Sequence, residues 1–186
     1  MNRFEISPTP LAGLVVVQRR VLGDERGSLA RLFCSEDLLA AGWTDPIAQI
    51  NLTRTTAPGT LRGMHFQKPP HAERKLVTCL HGTVWDVAVD VRRDSPTFLK
   101  WHAEELSAQN CRALLIPPGF AHGFQTLSKD CELLYCHSAP YVPASEAALN
   151  PLDPVLHIPW PLAVSVISER DRSHPAIPPD FAGVLL

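Results

Sequence analysis

The chain has 186 residues, 45% hydrophobic and 19% charged, with a formal net charge of −2. That length predicts one domain, 1–186, with a sizeable core, and the charge gives no electrostatic reason to expect nucleic acid or an anionic membrane. No window approaches eighteen uninterrupted apolar residues, and the start, M-N-R-F-E-I-S-P-T-P, lacks the apolar stretch of a secretory signal.

In chain order, short apolar segments at residues 14–21 and 28–34 read as strands. Residues 35–42, S-E-D-L-L-A-A-G, read as a short helix with a Ser cap and a Gly stop. Further strands are expected at 47–53, 61–67, 74–80, 83–91, 97–105, 111–116, 123–127 and 132–137. Pro-Gly, His-Gly and Asp-Ser-Pro turns separate many of them. In 84–91, Trp85, Val87, Val89 and Val91 share one face, and Asp86 and Asp90 lie on the other with Val84 and Ala88. From residue 139 the chain is Pro-rich and reads as a tail packed on the rest. Eighteen prolines disfavour long helices. Many short strands in one domain predict an all-β sandwich, jelly roll or barrel. The five cysteines are odd in number and contain no C-x-x-C pair, so reduced, buried thiols and a cytoplasmic home are expected.

Two segments carry chemistry. L-R-G-M-H-F-Q at 61–67 sets His65 three residues after Arg62, and I-P-P-G-F-A-H-G-F at 116–124 sets His122 in a similar apolar run. Arg62 and Lys75 are cations in apolar stretches, where long cations are rarely buried without an anionic partner. Gln49 and Asn51 are one strand period apart and share a face. Together these residues predict a donor-lined cavity for a phosphate- or carbonyl-bearing ligand. P-P-G-F-A-H fits half of a metal-binding cupin pattern. The other half fails, because Gln67 stands where a second histidine is needed, and His71 and Glu73 fall in a Pro-rich loop. No metal is therefore expected.

Four segments resemble the dTDP-4-dehydrorhamnose 3,5-epimerase family: L-R-G-M-H-F-Q, residues 75–98 (K-L-V-T-C-L-H-G-T-V-W-D-V-A-V-D-V-R-R-D-S-P-T-F), I-P-P-G-F-A-H-G-F, and E-L-L-Y at 132–135. The resemblance runs from about Asp24 to Asp171. It implies a cupin-type jelly-roll barrel with a few short helices and a Pro-rich tail, forming a homodimer. It also implies an epimerase without cofactor that acts next to the C4 ketone of a nucleotide-diphosphate 4-keto-6-deoxy sugar. Position by position, His65 matches the general base, Asp171 its carboxylate partner, Tyr135 the acid on the opposite face and Lys75 the cation at the C4 oxygen. Arg26, Gln49, Asn51, Arg62, His122, Tyr141 and Glu146 match positions that contact the nucleotide diphosphate or shape the pocket. Elementary chemistry agrees with these roles. A proton removed beside a ketone leaves charge on oxygen, a fixed cation stabilises it, and inversion needs a second proton donor.

Taken alone, Tyr135 reads as a packing residue and Asp171, within E-R-D-R, as solvated surface. Asp86 either supports Lys75 or His65 or lines a polar face. The chain also departs from the family. Ser28 and Leu29 replace aromatics, Arg31 stands where a glutamate is usual, and Pro143–Ala144 and residues 148–151 lack an acid, a glycine and a tryptophan. These departures imply an altered nucleotide pocket, with GDP- or CDP-linked sugars as alternatives to dTDP and one carbon as an alternative to two. A metal-dependent cupin isomerase or oxygenase, and a non-catalytic sugar-nucleotide binding module, are the other classes.

Overall fold

Strands with apolar residues on both faces need cover on both, and here the two main sheets pack on each other and are covered over much of their outer faces, leaving the edge strand with Ile50 and Leu52 exposed. The computed structural model describes residues 3–186. The strands are β1 (Phe4–Pro8), β2 (Val15–Arg19), β3 (Val21–Asp24), β4 (Gly27–Ala30), β5 (Gln49–Thr55), β6 (Thr60–Gln67), β7 (Lys75–His81), β8 (Thr83–Asp90), β9 (Trp101–Ser107), β10 (Arg112–Ile116), β11 (Phe120–Thr126), β12 (Cys131–His137), β13 (Glu146–Ala148) and β14 (Val166–Ile167). Two short helices accompany them, α1 (Ser35–Leu39) and α2 (Glu169–Arg172).

One six-stranded sheet runs β1-β2-β10-β7-β12-β5, and the second runs β13-β6-β11-β8-β9 with β14 added parallel to β6. The sheets face each other as a jelly-roll sandwich. β3 and β4 form a separate hairpin. Val77, Leu114, Ile116 and Leu133 of the first sheet meet Val84, Ala88, Phe120 and Phe124 of the second in the space between. Phe4, Leu38 and Trp43 cover the outer face of the first sheet, against Leu76, Leu115 and Cys136. The tail covers the outer face of the second, with Leu149 and Leu156 against Met64, Phe66, Val87 and Val89. Such burial stabilises by roughly 25 cal/mol per Å² of apolar surface.

This layering explains several differences from expectation. Asp86 and Asp90 do alternate with the valines, but neither faces water: both are 0% exposed. Asp90 accepts hydrogen bonds from Arg92, Ser95 and Thr97. Those bonds hold the chain in a loop, so the strand expected to start at Thr97 starts at Trp101. The expected Ser cap on the first helix also shifts. Cys34 occupies the cap position without a side-chain hydrogen bond, and Ser35 is already helical. The tail packs on the sandwich as expected, but it also adds β13, β14 and α2 to the second sheet's side.

Candidate active site

The site lies between the sheets at one end of the sandwich, and a break in strand period builds it. On β11 and β6, His122 pairs with His65 and Phe124 pairs with Arg62, so three steps on β6 match two on β11. This bulge turns Arg62 and His65 toward the same cavity, where strict alternation would put them on opposite faces. It depends on glycine. Gly63 has φ +128°, and a Cβ there would lie 2.4 Å from the Gly123 Cα. The backbones touch where any side chain would force them apart.

A cleft of about 200 Å³ opens at this point, lined by Arg62, His65, Gln67 and His122 from the second sheet and by Asn51, Lys75, Tyr135 and His137 from the first. On the first sheet, Gln49, His137 and Lys75 form one cross-strand row, and Asn51 pairs with Tyr135 in the next. His65 and Tyr135 thus stand on facing walls.

His65 Nε2 lies 2.7 Å from Asp171 Oδ1. The His65 side chain is 35% exposed and that of Asp171 5%. Asp171 reaches β6 because α2 docks there. The Ser168 hydroxyl caps the helix by accepting the Asp171 N–H, and Gly63 N–H donates to Asp171 Oδ2. Burial alone pushes the Asp171 carboxyl up, but the His65 hydrogen bond and charge, with the Gly63 N–H, hold it below its ordinary value. An ionised Asp171 fixes the proton on Nε2 and leaves Nδ1 as the nitrogen able to accept another.

Lys75 Nζ forms a buried ion pair with Glu73 Oε1 at 2.9 Å and donates to the His65 carbonyl at 3.1 Å. A lysine has three N–H groups, so one is left for a ligand oxygen. Gln67 fastens this arrangement, donating to Glu73 Oε2 and accepting the Val142 N–H. The anion that buried Lys75 requires is Glu73, which lies in the run read as a Pro-rich loop, whereas Asp86, the support weighed for Lys75 or His65, hydrogen-bonds His122. The nearby E-R-K sequence was the available signal.

Tyr135 is packed edge-on against His122 at 5.8 Å and stacked with His137 at 6.0 Å. Burial, reinforced by the Asp86 charge, pushes its phenol well above the ordinary value, so the hydroxyl keeps its proton at neutral pH. Burial and the Lys75 charge push His137 down to about 4, leaving a neutral ring beside it. His122 Nε2 lies 2.8 Å from Asp86 Oδ1 in a second, buried pair. Burial pushes the Asp86 carboxyl up, and the opposing pull of His122 and Lys75 does not cancel it.

Tyr141 and Glu146 form the rim, the tyrosine hydroxyl donating to the carboxylate at 2.8 Å. Gln49 sits just behind, accepting the Tyr141 N–H and lining an adjoining recess with Asn51 and Glu73. A wider groove of about 760 Å³ continues from His65 and Arg62 past Arg54, Ser168 and Arg170. Arg54 and Arg170 did not emerge from the sequence as site residues, because single exposed arginines carry no local signal. Arg26 does not join the site. It sits in the β3–β4 turn with an 85% exposed side chain, bound to Asp24 at 2.5 Å, because the hairpin projects away from the sandwich.

A histidine–aspartate pair facing a tyrosine across one cleft, set in a two-sheet jelly roll, fits an isomerase of the cupin-type architecture. The family model for dTDP-4-dehydrorhamnose 3,5-epimerase matches residues 8–178. The dTDP-4-dehydrorhamnose 3,5-epimerase of Sinorhizobium fredii is 39% identical over 168 residues, covering 90% of this chain and 86% of that protein. The crystal structure of the Bacillus anthracis dTDP-4-dehydrorhamnose 3,5-epimerase, with TDP and pyrophosphate bound, superposes with a TM-score of 0.90 at 36% identity over 94% of this chain and 99% of the other. A 3'-monoepimerase of Streptomyces bikiniensis, bound to dTDP-quinovose, superposes at 0.85 with 34% identity over 91% of this chain and 86% of the other. The chain belongs to the dTDP-4-dehydrorhamnose 3,5-epimerase family.

Proposed function

We propose that the protein inverts C3 and C5 of dTDP-4-keto-6-deoxyglucose, giving dTDP-4-keto-rhamnose. The observation that carries this reading is the opposition of the His65–Asp171 pair and Tyr135 across one cleft. His65 Nδ1 takes the proton next to the C4 ketone, and the electron pair moves to the ketone oxygen. The remaining Lys75 N–H meets that oxygen as charge develops. Tyr135 returns a proton to carbon from the other face, and solvent then reprotonates the phenolate and removes the proton from His65. The hydrogen count is unchanged, so the step needs no redox cofactor.

Arg62, which has no carboxylate partner among the described residues, is the cation best placed to receive the diphosphate along the groove. Arg54 and Arg170 are already paired with Glu132 and Glu146. We further infer a cytoplasmic homodimer. The projecting β3–β4 hairpin, with exposed Val21, Leu22 and Leu29 and with Arg26 at its turn, supports this as the element able to reach a second protomer.

Incubation with dTDP-4-keto-6-deoxyglucose in deuterated water tests the reaction. Deuterium is expected at both C3 and C5. Label at C3 alone makes the protein a monoepimerase. No label with this sugar, but exchange with a GDP- or CDP-linked one, overturns the dTDP assignment.

A further inference from the structure

We infer that His65, Asp171 and His174 form a binding site for a divalent transition-metal ion of the Zn²⁺ type, which blocks the base when occupied. One ligand atom from each of the three lies within 4.8 Å of the other two. Tetrahedral zinc, with bonds of about 2.0–2.2 Å to nitrogen and oxygen, needs its donors roughly 3.3–3.5 Å apart, a small side-chain adjustment from this arrangement. Two imidazoles and one carboxylate suit zinc, cobalt, nickel or copper and not magnesium or calcium, which prefer oxygen alone.

A second observation points to a ligand. His174 Nε2 is buried without a hydrogen-bond partner among the described residues. Buried polar atoms are nearly always satisfied. The backbone of His174 is already fixed, because Asn150 Nδ2 donates to its carbonyl at 2.8 Å. The epimerase mechanism makes no use of this third side chain, since the base needs only the carboxylate at 2.7 Å.

Metal binding at His65 Nε2 moves the proton shared with Asp171 to Nδ1, so the imidazole stays neutral and the nitrogen that would accept the substrate proton is filled. The binding step stands on geometry; its inhibitory consequence rests on His65 being the base.

The test is a titration of chelator-treated protein with Co²⁺, followed by its visible absorption, and a parallel titration with Zn²⁺, followed by deuterium exchange. His174→Gln and His174→Ala are compared with the wild type, each normalised to its own metal-free rate and checked by thermal melting. Both substitutions keep the backbone carbonyl that Asn150 holds. Wild type is expected to develop the Co²⁺ bands of a site with nitrogen ligands and to lose activity with micromolar Zn²⁺, reversed by chelator and not reproduced by millimolar Mg²⁺. Both variants are expected to bind at least about tenfold more weakly. Absence of Co²⁺ binding to wild type, or equal binding by folded variants, overturns the site. Co²⁺ binding that depends on His174, in a protein whose exchange Zn²⁺ leaves untouched, overturns the blocking role and counts against His65 as the base.

Discussion

Two histidine–aspartate pairs stand side by side in this molecule, on neighbouring strands and at paired positions, yet their surroundings differ. His65 and His122 are cross-strand partners, and each places Nε2 2.7–2.8 Å from a carboxylate oxygen. The His65 side chain is 35% exposed and lies at the cleft mouth, whereas His122 and Asp86 are 6% and 0% exposed. Asp171 has its second oxygen satisfied by a backbone N–H and is held ionised; Asp86 has Oδ2 buried without a partner among the described residues and is pushed toward its protonated form. Identical residue types thus suit different roles, a base for His65 as proposed and a buried prop for His122, according to solvent access and the partners of the carboxylate.

The strongest way to break this comparison is to truncate the two histidines. His65→Ala is expected to lower deuterium exchange by about 10²–10⁴ with little change in melting temperature. His122→Ala strands a fully buried carboxylate, which costs up to about 3–5 kcal/mol, so its melting temperature falls on the order of 10 °C. A stable but inactive His122→Ala, or an unstable but active His65→Ala, would exchange the two roles.

The aspartates sharpen the contrast. Asp171→Asn removes the orienting carboxylate, and kcat is expected to fall about 10–100-fold. Its stability effect has a definite sign. Asp171 has a depressed value, so it contributes stability above the ordinary carboxylate range, lost as pH falls through the folded value. Asp86 has a raised value, so wild type loses stability as pH climbs from the ordinary range through the raised one. Melting curves from pH 3 to 8 check both. Asp86→Asn should gain on wild type with rising pH, and Asp171→Asn should lose on it, each on the order of 1 kcal/mol, or about 2–4 °C.

The smallest expected effect on exchange is at His137, whose ring beside Tyr135 stays neutral down to about pH 4. The unfolded chain binds that proton near 6.5, so stability falls as pH drops from 6.5 to about 4. His137→Asn should flatten that part of the melting-temperature profile and leave exchange within about tenfold; an unchanged slope would remove His137 from the pH response.

What the sequence made legible follows the range of the interactions concerned. His65 and Lys75 stand in apolar strands where a polar group already asks for a reason, and they match a known family; Tyr135, taken alone a packing residue, stood out through that match. Asp171 was recoverable only through that match, because its place beside His65 depends on a four-residue helix docking 106 positions later in the chain. The bulge at Gly63 was not legible, since it needs Gly123 opposite, and period-2 reasoning assigns Arg62 and His65 to different faces. Glu73 was hidden by the prolines around it. The strands themselves were largely visible, but the burial of Asp86 and Asp90 was not, because the face they share with Val84 and Ala88 is covered by the opposite sheet, a long-range packing that one strand's pattern does not show.

The tail orders events in time. The strands that carry His65, Lys75 and Tyr135 have all been made once residue 137 has left the ribosome, whereas β13, β14 and the carboxylate that pairs with His65 come later, the last with α2 some thirty residues on. During synthesis the walls of the cleft are made well before the carboxylate that pairs with His65.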